Sequence, residues 1–371
     1  MEFIDLHKQY RRLKKEIDES IAQVIESTSF IGGKEVKQLE NELANFVGVK
    51  HCLTCGNGTD ALTLALRAID AKEGDAIFVP DYTYFASAEV ISLEKATPVF
   101  VDVDNTFNID VGSLKRAIAA VKAEGKLRLK AIITVDLFGQ PANYPEIRKI
   151  ADEFDLLIIE DGAQGFGGSI NGKMACSFGD ISTTSFFPVK PLGCYGDGGA
   201  VFTDNDAYYE LMVSLAVHGK GEDKYDNVRI GYNSRLDTIQ AAILIPKLHA
   251  LINEELTLRN SLAKYYSEKL ERRFVIPTVL DSFKSSWAQF TLLAKSEEER
   301  NKIVERLKEK NIPIMVYYRN PMHCEKVFKN IKLYVDLPNS EIFMKKAFSI
   351  PFSPYMTKKE QDIVIEELLK I

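Results

Sequence analysis

The chain has 371 residues, of which 46% are hydrophobic and 27% charged, with a formal net charge of −6 and a pI near 5.6. This is an ordinary globular composition, without the basic excess that nucleic acid or an anionic membrane would require. No apolar run reaches the ~18 residues of a membrane span, no N-terminal signal-peptide pattern is present, and a cytoplasmic location is expected.

The length predicts two domains, or one large α/β domain with a smaller appendage. No internal repeat or low-complexity segment points to a solenoid or tethered array. Five cysteines (Cys52, Cys55, Cys176, Cys194, Cys324) form a sparse, odd set that fits a reducing compartment. Cys52 and Cys55 make a C-x-x-C, but no second pair completes a four-ligand zinc site, so a buried strand end is expected there and no metal is predicted.

In chain order, Met1 to Ser29 reads as a charged amphipathic helix with Ile17, Ile21, Val24 and Ile25 at helical spacing, broken by Phe30-Ile31-Gly32-Gly33. Residues 34–46 form a second helix, with Val36, Leu39, Leu43 and Phe46 on one stripe. A short strand over 49–54 runs into Gly56-Asn57-Gly58-Thr59-Asp60 and then a helix. That order aims free backbone N–H groups and a helix N-terminus at an anion, although such turns also occur without a ligand. Thr59 or Asp60 could cap the helix, and the Thr59 hydroxyl could reach a phosphate oxygen.

A buried strand is predicted over 76–80, followed by the aromatic stretch Asp81-Tyr82-Thr83-Tyr84-Phe85, a helix over 86–93 and a strand over 97–103. Aromatics at a strand's C-terminal end either cap a core or stack on a flat ligand, since open α/β sheets bind there. Strand 130–136, helix 144–154 and strand 156–160 continue the alternation and argue for a largely parallel sheet with helices on both faces. Asp161 is the carboxylate left where the last of these strands ends.

The stretch DISTTSFFPVKPLGCYGDGG, Asp180 to Gly199, alternates apolar and hydroxyl residues as a strand and delivers Lys190 into a turn rich in Gly and Pro. A lone loop lysine is ordinarily solvated. One held in a tight turn can instead be desolvated, which lowers its pKa and frees the amine for imine chemistry. Lysine, carboxylate, aromatic ring and glycine-rich helix start are together what pyridoxal phosphate requires of a protein.

Residues 236–270 are predicted to be mostly helical. An α+β lobe follows, with a strand at Ser286–Ala294, a helix at 297–310, a strand-like run Ile314–Tyr318 and a last helix from Lys358.

Through GNGTDAL, VPDYTYFASAE, IIEDGAQ, SFFPVKPLGCYGDGGA and GYNSRLDTIQAAIL, spread over nearly the whole length, the chain resembles the DegT/StrS-type nucleotide-sugar aminotransferases. These are fold-type I pyridoxal phosphate enzymes. The resemblance implies an α/β fold with a large, mostly parallel-sheet α/β/α domain over 1–245 and a smaller α+β C-terminal domain over 246–371. It implies Lys190 as the Schiff-base lysine, Asp161 as partner of the pyridine nitrogen, Gln164 at the ring hydroxyl and Tyr84 on the ring face. Gly58, Thr59 and Ser185 would hold the phosphate. Asn233 would complete that site from a neighbouring subunit, making a two-fold homodimer obligatory.

Phe30, Arg235, Tyr317, Tyr318 and His323 would face the nucleotide sugar, with L-glutamate as amino donor. A lone histidine is more often structural, and that reading of His323 stays open. His218 matches a His-Gly motif without a derivable role. Pro191 after the lysine departs from the commoner pattern. The KPLGCYGDGGA run looks most like enzymes aminating UDP-2-acetamido-2-deoxy-3-oxo-glucuronate for bacterial surface polysaccharide. Alternatives are an aminotransferase for a nucleotide-linked keto-6-deoxyhexose, a sugar dehydratase, against which Lys190 speaks because histidine replaces it there, and a non-catalytic regulator on the same fold.

Overall fold

The structure, a computed structural model, describes residues 1–223 and 225–371. The N-terminal helix α1 (Leu6–Ser27) starts where the Asp5 side chain accepts from the Lys8 N–H. Gln9, Leu13, Ile17 and Val24 form its buried stripe. Ile25, expected on that stripe, is 56% exposed, because one residue beyond Val24 the helix has turned about 100° towards solvent. Helix α2 (Lys34–Val47) buries Leu39 and Leu43 as its periodicity requires.

The alternating segment runs β1 (His51–Cys55), α3 (Gly58–Ala68), β2 (Asp75–Pro80), α4 (Ala86–Leu93), β3 (Thr97–Val101), α5 (Val111–Glu124), β4 (Arg128–Val135), α6 (Tyr144–Phe154) and β5 (Leu157–Asp161). Two short strands, β6 (Ser169–Ile170) and β7 (Lys173–Met174), precede β8 (Ile181–Ser185), β9 (Gly199–Thr203) and α7 (Asp206–Ala216).

The main sheet has the order β1-β9-β8-β5-β4-β2-β3. Its pairs from β3 through β2, β4 and β5 to β8 are parallel, while β9 runs antiparallel to both β8 and β1. The C-terminal ends of β1, β2, β5 and β8 therefore share one edge. Alternation along β2 sends Ile77 and Val79 into a core with α3, α4 and α7, and Ala76 and Phe78 into a core with α5 and α6 on the other face. Cys52 and Cys55, three apart on β1, point to opposite faces and are both buried. They cannot share a metal, and among the described residues no group of His, Cys, Asp or Glu is disposed to hold one.

A continuous helical passage, α8 (Thr238–Ala250), a π-helical turn over Leu251–Glu255 and α9 (Leu256–Leu270), leads to β10 (Phe283–Lys284), β11 (Phe290–Leu293), α10 (Glu297–Glu309), α11 (Pro338–Lys346), β12 (Ala347–Ile350) and α12 (Lys358–Leu369). β11 and β12 pair antiparallel. The expected strand at 314–318 is reduced to a single bridge between Met315 and Ser349. Pro313 and the side-chain anchoring of Tyr317 and Tyr318 described below leave no continuous ladder. Met322, Phe328 and Leu337 pack on the main-sheet core, so the chain between α10 and α11 returns to the edge where β2 ends. Among the described residues no helix is long and apolar enough to cross a membrane.

The C-terminal core centres on Phe290, fully buried against Trp287, Tyr266 and Phe352. Phe290→Ala is expected to destabilise the protein by about 3–5 kcal/mol through lost burial and an uncollapsed cavity, read as a lowered midpoint in urea unfolding.

Candidate active site

Lys190 lies in the turn from β8 to β9. Phe186 anchors both ends of that turn: its carbonyl accepts from Cys194 N–H at 2.8 Å, and its N–H donates to Gly198 O at 2.8 Å. Lys190 N–H closes on Phe187 O at 2.9 Å. A Cβ on Gly193 would lie 2.3 Å from Pro188 O, so only glycine lets the turn fold this tightly. Burial pushes the Lys190 ammonium below its ordinary pKa, opposed by the charge of Asp161.

Asp161, the last residue of β5, is buried beside it. Burial pushes its carboxyl upward, while a hydrogen bond from Ser87 and the charge of Lys190 pull it back. Ser87 Oγ donates to Asp161 Oδ2 at 2.8 Å, and Ala163 N–H donates to Oδ1 at 3.2 Å.

The start of α3 meets the end of β8. A Cβ on Gly58 would fall 2.7 Å from Ser185 Cβ, so the bare Gly58 backbone forms a cradle with the Ser185 side chain. Neither Thr59 nor Asp60 caps the helix; Asn57 does, accepting from Asp60 N–H at 2.8 Å. Asn57 has the extended backbone a cap needs, whereas Thr59 and Asp60 are already inside the first turn. This leaves the Gly58 and Thr59 N–H groups and the Thr59 hydroxyl without partners among the described residues, all at the positive end of the helix.

Tyr84 is 56% exposed, which excludes a core cap. Its ring lies 6.3 Å from that of Tyr318. Gln164 accepts from Phe138 N–H at 2.8 Å and donates to the Tyr318 hydroxyl at 3.2 Å, so Tyr84, Gln164 and Tyr318 gather in one place. Tyr82, which the sequence left unassigned, is fully buried. Its hydroxyl donates to Tyr317 O and accepts from Tyr318 N–H at 2.8 Å, and Tyr317 turns its ring to Phe3, 6.3 Å away.

His323 takes the structural reading. Its Nδ1 is 2.7 Å from Asp81 Oδ2, and its backbone N–H donates to Asp81 Oδ1 at 2.8 Å. Asp81, Tyr82 and Ser87 make contacts here that the sequence did not single out, although all lie in the VPDYTYFASAE motif.

Asn233, Arg235 and Phe30 stand apart from this group. Arg235 Nη2 donates to Asn233 Oδ1 at 2.7 Å, and Phe30 O accepts from Thr238 N–H at 2.9 Å; all three side chains are exposed. Ser234 between them is buried and turned inward, accepting from Gly56 N–H at 2.9 Å and donating to Asp60 at 2.6 Å. His218 is exposed and shows no catalytic contact.

The hydrogen bond from the His323 ring to Asp81, opposed by burial, holds the His323 pKa above its ordinary value. A raised folded-state pKa stabilises below the unfolded value, about 6.5, and that stabilisation is lost as pH rises through the folded value. The stability difference between the protein and its His323→Gln variant should therefore shrink as pH rises from about 6 to about 9. Denaturant unfolding across that range checks this, and a constant difference would mean that folding leaves the His323 pKa unchanged.

A family model, described as the DegT/DnrJ/EryC1/StrS aminotransferase family, matches residues 11–369. A Pseudomonas aeruginosa UDP-2-acetamido-2-deoxy-3-oxo-D-glucuronate aminotransferase is 39% identical over 370 residues, covering 99% of each chain. The crystal structure of a Brucella abortus aminotransferase of this family superposes with a TM-score of 0.97 at 42% identity, over 100% of this chain and 99% of that one. A Bacillus subtilis protein solved with the cofactor PMP bound is 26% identical with a TM-score of 0.87, over 99% of this chain and 82% of its own. The chain belongs to the DegT/DnrJ/EryC1/StrS aminotransferase family.

Proposed function

We propose that this chain is a pyridoxal-phosphate-dependent aminotransferase that moves an amino group from L-glutamate to C3 of UDP-2-acetamido-2-deoxy-3-oxo-glucuronate, in the cytoplasm, for bacterial surface polysaccharide. The observation that carries this reading is the charge-coupled pair Lys190 and Asp161, brought to one sheet edge by the parallel pairing of β5 and β8, together with the Gly58–Ser185 cradle. The choice of sugar rests on the Pseudomonas aeruginosa relative.

The donor set fits the cofactor. The cradle, the free N–H groups of Gly58 and Thr59 and the Thr59 hydroxyl suit a phosphate. Asp161 suits a protonated ring nitrogen, Gln164 a ring hydroxyl, Tyr84 a ring face, and the depressed amine of Lys190 a covalent link. When bound, the cofactor supplies the electron sink for the carbon that loses its proton.

The remaining chemistry belongs to the chain. Lys190, its amine freed once the donor's amine takes its place in the covalent link, would take the proton from the donor's α-carbon in one half-reaction and deliver one to the acceptor carbon in the other. Asp161 keeps a proton on the ring nitrogen by charge. Tyr318 and Gln164 fix each other, and Tyr82 fixes Tyr318, so that the wall of the sugar site is held before substrate arrives. Phe30, Arg235, Tyr317 and Tyr318 border that site; Tyr82 holds the last two, and Asp81 next to it holds His323. We read the chain as a large domain over 1–245 and a smaller one over 246–371, with the site at their junction.

Two chains are needed. Asn233 and Arg235 are exposed while Ser234 between them is buried and bonded to Gly56 and Asp60, which is the alternation expected if the outer two reach a partner's site in a homodimer.

The deciding experiment loads the protein with pyridoxal phosphate and L-glutamate and offers keto-sugars generated in situ. UDP-2-acetamido-2-deoxy-3-oxo-glucuronate should be aminated in preference to a dTDP-keto-6-deoxyhexose. The reverse preference would overturn the sugar but not the reaction. Lys190→Ala should lower turnover by about 10²- to 10⁴-fold or more, the scale of a lost general base.

Dimer sharing is tested by mixing inactive chains. Co-refolded Lys190→Ala and Asn233→Ala chains should regain activity, because each mixed dimer restores one complete site, about half the native complement. No recovery in verified mixed dimers would place Asn233 outside the partner's site.

A further inference from the structure

Burial favours the neutral acid of Asp161, and the hydrogen bond from Ser87, the charge of Lys190 and the Ala163 N–H oppose it. The backbone contributes only the 3.2 Å bond from Ala163 to Oδ1. The shorter bond, at 2.8 Å, comes from Ser87 in the first turn of α4, 74 residues away in sequence. Ser87 is completely buried, and so is Thr83, whose Oγ1 lies 3.3 Å from Ser87 Oγ.

Each hydroxyl has one proton. The carboxylate has none to give while ionised, so Ser87 must donate to Asp161. Its proton is then spent, and the contact with Thr83 must be donated by Thr83. The chain Thr83 to Ser87 to Asp161 thus has one direction only, and it delivers positive hydrogen-bond character to the acid in a dry site, where such bonds reinforce one another.

We propose that Ser87, backed by Thr83, is a positioning residue that keeps Asp161 an ionised acceptor and thereby decides whether the ring nitrogen of the bound cofactor carries a proton. This rests on the assignment of Asp161 as partner of that nitrogen. Between Asp161 and a ring nitrogen one proton is shared, and it sits on nitrogen when the carboxylate is well solvated by donors and on oxygen when it is not. Ser87 touches neither substrate nor the reacting carbon; it acts through Asp161.

The test reads the nitrogen directly. Holoenzyme is prepared with pyridoxal phosphate labelled with ¹⁵N in the ring, and the nitrogen's chemical shift is recorded by solid-state NMR for the native protein and for Ser87→Ala, Ser87→Cys and Thr83→Val. The native nitrogen should lie in the protonated pyridinium range. Ser87→Ala should move it towards free pyridine and lower kcat by about 10- to 100-fold, the scale of one hydrogen bond to a charged group, with KM for L-glutamate nearly unchanged. Ser87→Cys, a weak donor, should fall between the two, and Thr83→Val should give a smaller move in the same direction.

A Ser87→Ala nitrogen at the native shift overturns the proposal, whatever its activity. If that variant fails to fold, Thr83→Val, which leaves Ser87 and Asp161 in place, decides alone: a shift supports the proposal and an unchanged nitrogen overturns it. A native nitrogen that is itself unprotonated overturns the assignment of Asp161, a failure distinct from that of Ser87 because it appears before any substitution.

Discussion

Two opposite charges held where burial disfavours both are the constraint on which the rest of this structure depends. Burial pushes the Lys190 ammonium down and the Asp161 carboxyl up, and the charge of each opposes the other's shift. The pair exists because β5 and β8 are adjacent and parallel, with Asp161 opposite Thr183 in register. Parallel strands end at the same edge, and an open α/β sheet leaves that edge uncovered by its helices. A carboxylate at the end of one strand and a lysine five residues past the end of its neighbour then meet without any long excursion of the chain. Reversing β8 would separate them by the length of the sheet.

A single segment supports this pair and also attaches the C-terminal part of the chain to it. From Asp81 to Ser87 each residue has a different address: Asp81 holds the backbone and ring of His323, Tyr82 holds Tyr317 and Tyr318, Tyr84 stands beside Tyr318, and Thr83 and Ser87 lead to Asp161. Asp81, Tyr82, Thr83 and Ser87 are buried, whereas Tyr84 is open. Buried polar side chains must be satisfied or they cost more than they contribute. Here they are satisfied by the parts of the chain that have to be placed accurately, so the same bonds that make the segment tolerable in the interior fix the aromatic wall of the site.

The central sheet was legible because its strands are continuously apolar and its turns carry glycine where nothing else fits, as the run from Leu157 into Asp161 shows. Lys190, Asp161, Tyr84 and the Gly58 turn could be proposed as site residues because each sits in a motif with a local chemical reason, whereas Gln164 and Ser185 entered only through the family resemblance. Other features depended on partners distant in sequence. Asn57 takes the cap in place of Thr59 or Asp60 through a backbone angle that composition does not encode. Tyr82 and Asp81 gain their roles only from Tyr317 and His323, over 230 residues away. β9 and α7 were hidden behind the glycine-rich turn, and β12 exists because β11 lies opposite it, not because four residues prefer a strand.

Between Val228 and Arg235 the chain turns most of its side chains outward, with Ser234 buried among them. Ser234 is locked to the start of α3, so its neighbours Asn233 and Arg235 necessarily project outward, and Asn233 is held in that pose by Arg235. Close by, Ile31 bridges to Asp237, leaving Phe30 and Ile31 exposed, and Ile230 is 84% exposed. Exposed large apolar side chains are unremarkable singly, but several on the segments that also carry outward-facing polar site residues need a cover. In the proposed homodimer one event answers both needs: docking removes the apolar side chains from water and delivers Asn233 to the partner's phosphate cradle. Burial would then supply the free energy that holds Asn233 in place, and cofactor binding and association would strengthen each other because each stabilises the same arrangement.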